Sequence, residues 1–135
     1  MRSRRCPAEP ADRDRGAAVV DFVLVSLVLV PLVLGIAQVA LVMHVHNTLA
    51  AAAAEGARYA ATIDRDPAAG VVRTRQQIDG ALSARFADTV DAREQTTNGL
   101  PVVVVTVHAE VPPLGLWGPA VEFDVTGHAV EEAGP

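Results

Sequence analysis

An apolar stretch from Phe22 to Met43 constrains this chain more than any other feature of its sequence. Only Ser26 and Gln38 within it are polar. As an α-helix the stretch would be about 33 Å long at roughly 1.5 Å per residue, which matches a bilayer hydrocarbon core of about 30 Å. A lone β-strand could not satisfy its backbone hydrogen bonds in lipid, so the sequence predicts one transmembrane helix. Pro31 removes one helical hydrogen bond and predicts a mild kink.

The charges on the two sides of this stretch predict its orientation. Residues 1–16 carry five Arg and three acidic residues, a net charge of +2. Residues 64–135 carry five Arg and eleven acidic residues, a net charge of −6. The positive-inside rule therefore predicts a single-pass protein of the cytoplasmic membrane, with its N-terminus in the cytoplasm and its acidic part outside. The negative outer part also argues against nucleic acid as a partner.

The sequence divides into four predicted segments along the chain. They are a cytoplasmic leader (1–16), a transmembrane helix (17–45), a helical extension outside the membrane (46–63) and a small extracytoplasmic domain (64–135). The extension is rich in Ala, which favours helix. Ala52 and Gly56 are small residues four apart, and with Ala57 they form a surface on which another helix can pack closely.

The extracytoplasmic domain has the pattern of a two-layer α+β unit. Apolar residues recur at helical spacing from about Val71 to Val90, which predicts one amphipathic helix. The segment Asp91–Pro101 is polar and ends in Asn98-Gly99, a turn signal. Apolar residues then alternate along Leu100–Val111 and Val121–Ala129, which predicts an antiparallel β-hairpin packed on the helix.

This predicted domain has two features that call for an explanation. About 65 residues form only a marginal core, which a third strand or a partner subunit would complete. The loop of the hairpin carries Leu114, Leu116 and Trp117, an apolar tip. It either folds back on the domain or contacts a partner or lipid headgroups, and folding back is the favoured alternative.

The sequence carries no pattern typical of catalysis or of a metal site. Serine occurs only three times, and neither a Gly-rich phosphate loop nor an HExxH motif is present. His108 and His128 share the polar face of the hairpin. If His108 lies opposite Glu122 or Asp124, His128 is roughly 13–20 Å away at about 3.3 Å per residue, too far for one zinc ion. We therefore expect no enzymatic activity, no cofactor and no metal.

Asp21 is the most informative single residue. It lies at the cytoplasmic edge of the apolar run AAVVDFVLV. A carboxylate there is costly unless it is paired or hydrated, which makes it a functional candidate. The alternative is a purely structural role, in which the side chain reaches the interface and interacts favourably with the positive end of the helix dipole.

The sequence RDRGAAVVDF, from Arg13 to Phe22, resembles the class III leader of type IV pilins and pseudopilins. In that pattern a charged leader ends in Gly, a prepilin peptidase cuts after it, and an acidic residue is the fifth of the mature chain. The resemblance implies that Gly16 ends the leader, Ala17 becomes the N-terminus and Asp21 is that acidic residue. Its carboxylate would then pair with the terminal amine of a neighbouring subunit.

Further residues narrow the resemblance to the TadE-like family of the Tad (tight adherence, Flp pilus) secretion apparatus. They are Pro31 and the Gly35 that follows it, and AAAAEGARYAA at Ala51–Ala61. The C-terminal pattern of a Val-rich strand, a Pro-Pro-Gly loop and a second strand is similar too. The family more often has Glu at the position of Asp21. The resemblance implies a minor pilin or pseudopilin, with the major Flp-type pilin, a second TadE-like protein and the Tad membrane platform as partners.

Two other classes of protein fit the same anchor. A generic envelope binding module would use Trp117 and its loop as a contact surface and would not be cleaved at Gly16. A secreted soluble domain released by signal peptidase would begin near Ala51, where the Ala run offers small residues for cleavage.

Overall fold

Two helices and then three strands form the chain in a computed structural model that describes residues 11–62, 64–83, 86–114 and 118–132. The elements are α1 (Ala11–Ala60), α2 (Pro67–Ala81), β1 (Ala87–Thr97), β2 (Leu100–Val111) and β3 (Val121–Val130). The chain divides into two units, residues 1–36 and residues 37–135, the second of which we call the outer unit. The predicted α+β class, with a long N-terminal helix before a small helix and a sheet, is confirmed.

The first unit contributes an apolar helical segment whose side chains face outward. From Gly16 to Ile36 every described side chain is exposed except Ser26, which is half-buried. None of the most apolar 18-residue stretch of α1 is buried in the protein, and the helix is long and apolar enough to cross a membrane. Exposure of so much Val and Leu is what a lipid-facing helix shows, whereas a core helix of a soluble protein buries them. This segment is therefore a candidate membrane span.

The outer unit contains one antiparallel sheet with the strand order β1-β2-β3. The predicted hairpin of β2 and β3 is confirmed, with Val111 opposite Val121 and Val103 opposite Ala129. Asn98 and Gly99 connect β1 to β2 with φ values of 53° and 81°. Two successive residues with positive φ form the tight turn that matches the twist of a hairpin, and Asn-Gly is the favoured pair.

The prediction of a helix as far as Val90 is wrong, because α2 ends at Ala81 and a strand follows. Residues 91–97, predicted as a polar connection, belong to β1. Phe86 and Val90 are buried as expected, but Val90 reaches the core from a strand. The spacing of four that suggested a helix also fits alternate positions of a strand. β1 lies at the edge of the sheet and is mostly polar, a composition that discourages edge-to-edge pairing and hides the strand from sequence reading.

The start of α2 also differs from the prediction, since the helix begins at Pro67 and not at about Val71. Pro67 instead opens α2, where its missing N–H costs no hydrogen bond. Asp66 precedes it in an extended conformation, and its carboxylate accepts the Ala69 N–H at 2.9 Å. This N-cap satisfies one of the free donors in the first turn.

The outer half of α1 supplies much of the core of the outer unit. Leu49 is the largest fully buried side chain of the described residues, and Val45 is fully buried as well. They belong to one apolar cluster with the inward-facing residues of β2, which are Val103, Val105, Val107, Ala109 and Val111. Residues 37–60 of α1 are thus a structural layer of the outer unit.

Helix α1 approaches the sheet most closely at Gly127. This residue lies in β3 opposite Val105, on the face that carries the core. A Cβ built at Gly127 would collide with the backbone of Ala53 and Ala54 in α1. Glycine inside a strand often marks such a close backbone approach.

Gly127→Ala should therefore separate the helix from the sheet. We expect it to lower the free energy of unfolding of the outer unit by about 2–3 kcal/mol, since a backbone rather than a flexible side chain blocks the added methyl group. Urea unfolding in mild detergent, followed by circular dichroism, measures the loss.

Thr126→Ala is the control, because the Thr126 side chain lies on the exposed face of the same strand. It should change stability by less than about 0.5 kcal/mol. Equal stability of the two variants would contradict the close approach at Gly127.

Candidate functional site

The residues of the predicted leader boundary and of the predicted assembly contact lie together on α1. Gly16, Ala17 and Asp21 are all in this helix, and all are exposed. Among the side chains that the structure describes, none forms an ion pair or a hydrogen bond with the carboxylate of Asp21. In the part of the chain with described side chains, this carboxylate is exposed.

The predicted helix-packing surface contacts α2 of the same chain. Ala52, Gly56 and Ala57 are all buried. A Cβ on Gly56 would collide with the Thr74 side chain and lie 2.8 Å from the Gly70 carbonyl oxygen. The surface is thus a tight intramolecular crossing of two helices. Packing of these residues on another subunit stays a prediction, and it would require α2 to move away.

The crossing is built from small residues on both helices. A Cβ on Gly70 would lie 2.9 Å from the Ala60 Cβ and 2.9 Å from the Gly56 carbonyl oxygen. Thr74 is fully buried, and its hydroxyl donates to the Ala52 carbonyl oxygen at 3.4 Å. This bond satisfies the hydroxyl of Thr74, whereas the Nε atom of Arg73 is buried without a partner among the described residues.

Charged and aromatic side chains surround the small residues of this crossing. Glu55 pairs with Arg58 at 3.4 Å and with Arg73 of α2 at 3.5 Å. The guanidinium of Arg65 lies 3.6 Å from the centroid of the Tyr59 ring. These side chains are partly exposed, so each pair contributes about 1 kcal/mol at most. The Glu55–Arg73 pair joins α1 to α2 and favours the observed crossing.

Gln38 connects α1 to the loop between β2 and β3, a contact that the sequence did not predict. Its side-chain oxygen accepts the Leu114 N–H at 2.7 Å, and its amide nitrogen donates to the Pro112 carbonyl oxygen at 3.3 Å. The signal was present, because Gln38 is one of two polar residues in the apolar run. Leu116 and Trp117, the rest of the apolar tip, lie outside the described residues, so the prediction that the tip folds back is tested only at Leu114.

The two histidines of the hairpin lie where the sequence placed them. His108 is opposite Asp124, and its Nδ1 atom lies 2.5 Å from the Asp124 carboxylate. Its Nε2 atom lies 3.9 Å from the Asp91 carboxylate on β1. His128 is opposite Val104, four residues along the strand from Asp124. The two imidazoles are therefore separate surface groups, and His108 connects three strands.

The comparison with protein families concerns the helix that carries these residues. Residues 16–58 match the model of a family described as TadE-like protein. Over this segment the chain is similar to that family. No curated protein and no solved structure matches the chain significantly. The TadE-like segment begins at Gly16, includes Asp21 and Gln38, and ends at Arg58 within the EGARYA sequence. It therefore contains both the exposed half of α1 and the half that packs against α2.

Gly56→Ala tests the helix crossing of this TadE-like segment. Alanine normally stabilises a helix interior by about 1 kcal/mol over glycine. Here we expect a net loss of about 1–3 kcal/mol, because the added methyl group overpacks the contact with α2. Urea unfolding in mild detergent measures the change.

Gly80→Ala is the matched control, since nothing lies within 4 Å of a Cβ added to this glycine of α2. It should be neutral or stabilising. A second variant, Thr74→Ala combined with Gly56→Ala, removes the side-chain clash and should recover part of the loss. Stabilisation by Gly56→Ala alone would show that the helices do not cross closely there.

Proposed function

We propose that this chain is a minor pilin or pseudopilin of a Tad-type pilus or secretion apparatus, assembling through its N-terminal helix. The observation that carries the proposal is Asp21. Its carboxylate has no partner among the side chains that the structure describes, and it lies on an exposed apolar helix, five residues after Gly16, in a segment that matches the TadE-like family. A lone acid in such a place is costly in lipid unless assembly supplies a partner.

Processing would supply that partner. A prepilin peptidase hydrolysing the bond after Gly16 leaves an ammonium group on Ala17, near the carboxylate of Asp21 on the next turn. In an assembly, the carboxylate of one subunit pairs with the ammonium of its neighbour. The pair removes two charges from lipid and fixes the axial offset between adjacent helices.

The proposed topology has residues 1–16 in the cytoplasm and the outer unit on the extracytoplasmic side, as the charge distribution favours. The role is structural rather than enzymatic, in starting the fibre or as part of it. The proposed partners are the Flp-type pilin, a second TadE-like protein, the Tad membrane platform and, for processing, a prepilin peptidase.

The structure argues against release of a soluble domain by signal peptidase. A mature chain beginning near Ala51 would lack Val45 and Leu49, which are fully buried in the core of the outer unit. Removing a buried Leu side chain alone typically costs about 2–5 kcal/mol, a large part of the stability of a unit this small. The membrane-anchored binding module keeps both residues and differs from the pilin in needing neither Gly16 nor Asp21.

N-terminal sequencing of the protein purified from membranes tests the processing step. We expect the mature chain to begin at Ala17. Gly16→Leu should retain the leader, because a larger residue fills the position before the cleaved bond. Gly35→Leu, where nothing lies within 4 Å of an added Cβ, should be processed normally. A mature chain that begins at Met1 supports the binding module, and one that begins near Ala51 supports the secreted domain.

Asp21→Ala tests the pairing. Membrane insertion should be unchanged, whereas piliation and co-purification of pilin subunits should be strongly reduced. The neighbour's ammonium then lacks its partner, at a cost of about 3–5 kcal/mol.

Asp21→Glu keeps the charge and should restore assembly, while Asp21→Asn keeps the shape and should not. Ser26→Ala, which removes another polar group of the same helix, serves as the control and should assemble normally. Normal piliation by Asp21→Ala would contradict the assigned role.

A further inference from the structure

Gln38 fixes the height of the β2–β3 loop along α1. Its side-chain amide uses both its acceptor and its donor on the backbone of this loop, at Leu114 and Pro112. These two bonds join residues that are more than seventy positions apart in the chain. The loop is therefore held beside a specific turn of the helix.

That turn lies in the part of the helix that a bilayer would cover. Gln38 is 17 residues after Asp21, which corresponds to about 26 Å at roughly 1.5 Å per residue. A hydrocarbon core of about 30 Å that begins at Asp21 therefore ends just beyond Gln38. If it ended at Ile36 instead, the fifteen residues from Phe22 would span only about 22 Å, well short of the core thickness.

The residues around this turn agree with the same boundary. Val39 and Met43 are each 60% exposed, as expected of side chains that face lipid. The first exposed imidazole after the apolar run is His44, about 9 Å along the axis beyond Gln38 at roughly 1.5 Å per residue. Gln38, and with it the start of the loop, thus lies before His44, where the polar residues that follow the apolar run begin.

The loop itself presents apolar surface at this height. The side chain of Leu114 is 48% exposed although its backbone is held by Gln38. Val121, the first residue of β3 and the partner of Val111, is also exposed. The segment also contains three prolines, which lack the backbone N–H that would otherwise need water. They are Pro112, Pro113 and Pro119. Such a surface suits the boundary between headgroups and acyl chains.

We propose that residues 112–114, at the start of the β2–β3 loop, are a second membrane contact of this protein, with Leu114 seated in the interfacial layer of the bilayer. The occupant of this surface is lipid, because Gln38, which holds it, belongs to the apolar run Phe22–Met43 and is followed by the exposed Val39 and Met43. Gln38 sets the depth of the loop, and the loop in turn satisfies an amide that hydrocarbon could not. The contact rests on the proposed membrane span, but not on cleavage or on pilus assembly.

Depth-dependent fluorescence quenching tests this contact. Single cysteines are introduced into the full chain after Cys6→Ser removes the only native cysteine, and each is labelled with an environment-sensitive fluorophore. The proteins are reconstituted at high lipid excess in vesicles of phosphatidylethanolamine and phosphatidylglycerol. Lipids that carry a nitroxide near the headgroup or in the middle of the acyl chain report depth, and aqueous iodide reports exposure to water.

Leu114→Cys should be quenched more by the shallow nitroxide than by the deep one, and little by iodide. Leu34→Cys, in the middle of the span, should be quenched most by the deep nitroxide. Leu100→Cys is the matched control for an exposed leucine away from Gln38, beside the Asn98-Gly99 turn. It should be quenched by iodide alone.

Each contrary pattern has a distinct meaning. If Leu114→Cys behaves like Leu100→Cys while Leu34→Cys is quenched by lipid, the loop contact is wrong and the span stands. If Leu34→Cys also escapes lipid quenching, the span itself fails. A Leu114 label protected from both iodide and the lipid nitroxides would show that protein, and not lipid, covers this residue. That result would also overturn the proposal.

Gln38→Leu tests whether the amide sets the depth. The variant keeps the helix apolar and removes both bonds to the loop. The label at Leu114 should then gain iodide quenching and lose its preference for the shallow nitroxide. Val39→Leu, one residue along the exposed side of α1, should leave the Leu114 signal unchanged. An unchanged signal in Gln38→Leu would overturn the role of the amide.

Discussion

Burial of Val45 and Leu49 is the interaction on which the rest of the structure depends. α2 and the sheet alone form a small two-layer unit with little apolar surface to share. The outer half of α1 adds a third element, which covers the valine-rich face of β2. Because the backbones of α1 and β3 meet at Gly127, the helix packs at a distance that a strand of ordinary residues could not permit. Residues 37–60 of α1 and the sheet are therefore parts of one folded unit.

The EGARYA sequence has a structural explanation within a single chain. Gly56 and Ala60 give α2 room to approach, Glu55 pairs with Arg73, and Tyr59 stacks with Arg65. A motif of small residues beyond a membrane span first suggests contact between subunits. Here the same residues are buried against their own chain, so another subunit could contact them only if α2 moved away. The exposed half, with Asp21, is the part that stays available.

The sequence predicted correctly those elements whose residue pattern fits only one type of secondary structure. The apolar run was long enough to exclude a lone strand, and β3 and the second half of β2 alternate around the proline-rich connection. It failed at β1, because an edge strand with polar residues on both faces resembles a connection, and because Phe86 and Val90 fit the period of a helix. It also missed the contacts of Gln38, Gly70 and Gly127. Such contacts join residues distant in the chain, and no local pattern records which partner each residue meets.

The shared core also limits which functions fit the protein. In a generic anchored module, the membrane helix only tethers an independent domain, and any apolar helix could replace it. In this chain residues 37–60 cannot be exchanged freely, because Val45 and Leu49 are core residues and Gln38 holds the loop. The exchangeable part ends near Ile36, and it contains the one feature that a tether does not need, a carboxylate five residues after Gly16. In the proposed assembly a charged partner would offset the cost of this carboxylate in lipid.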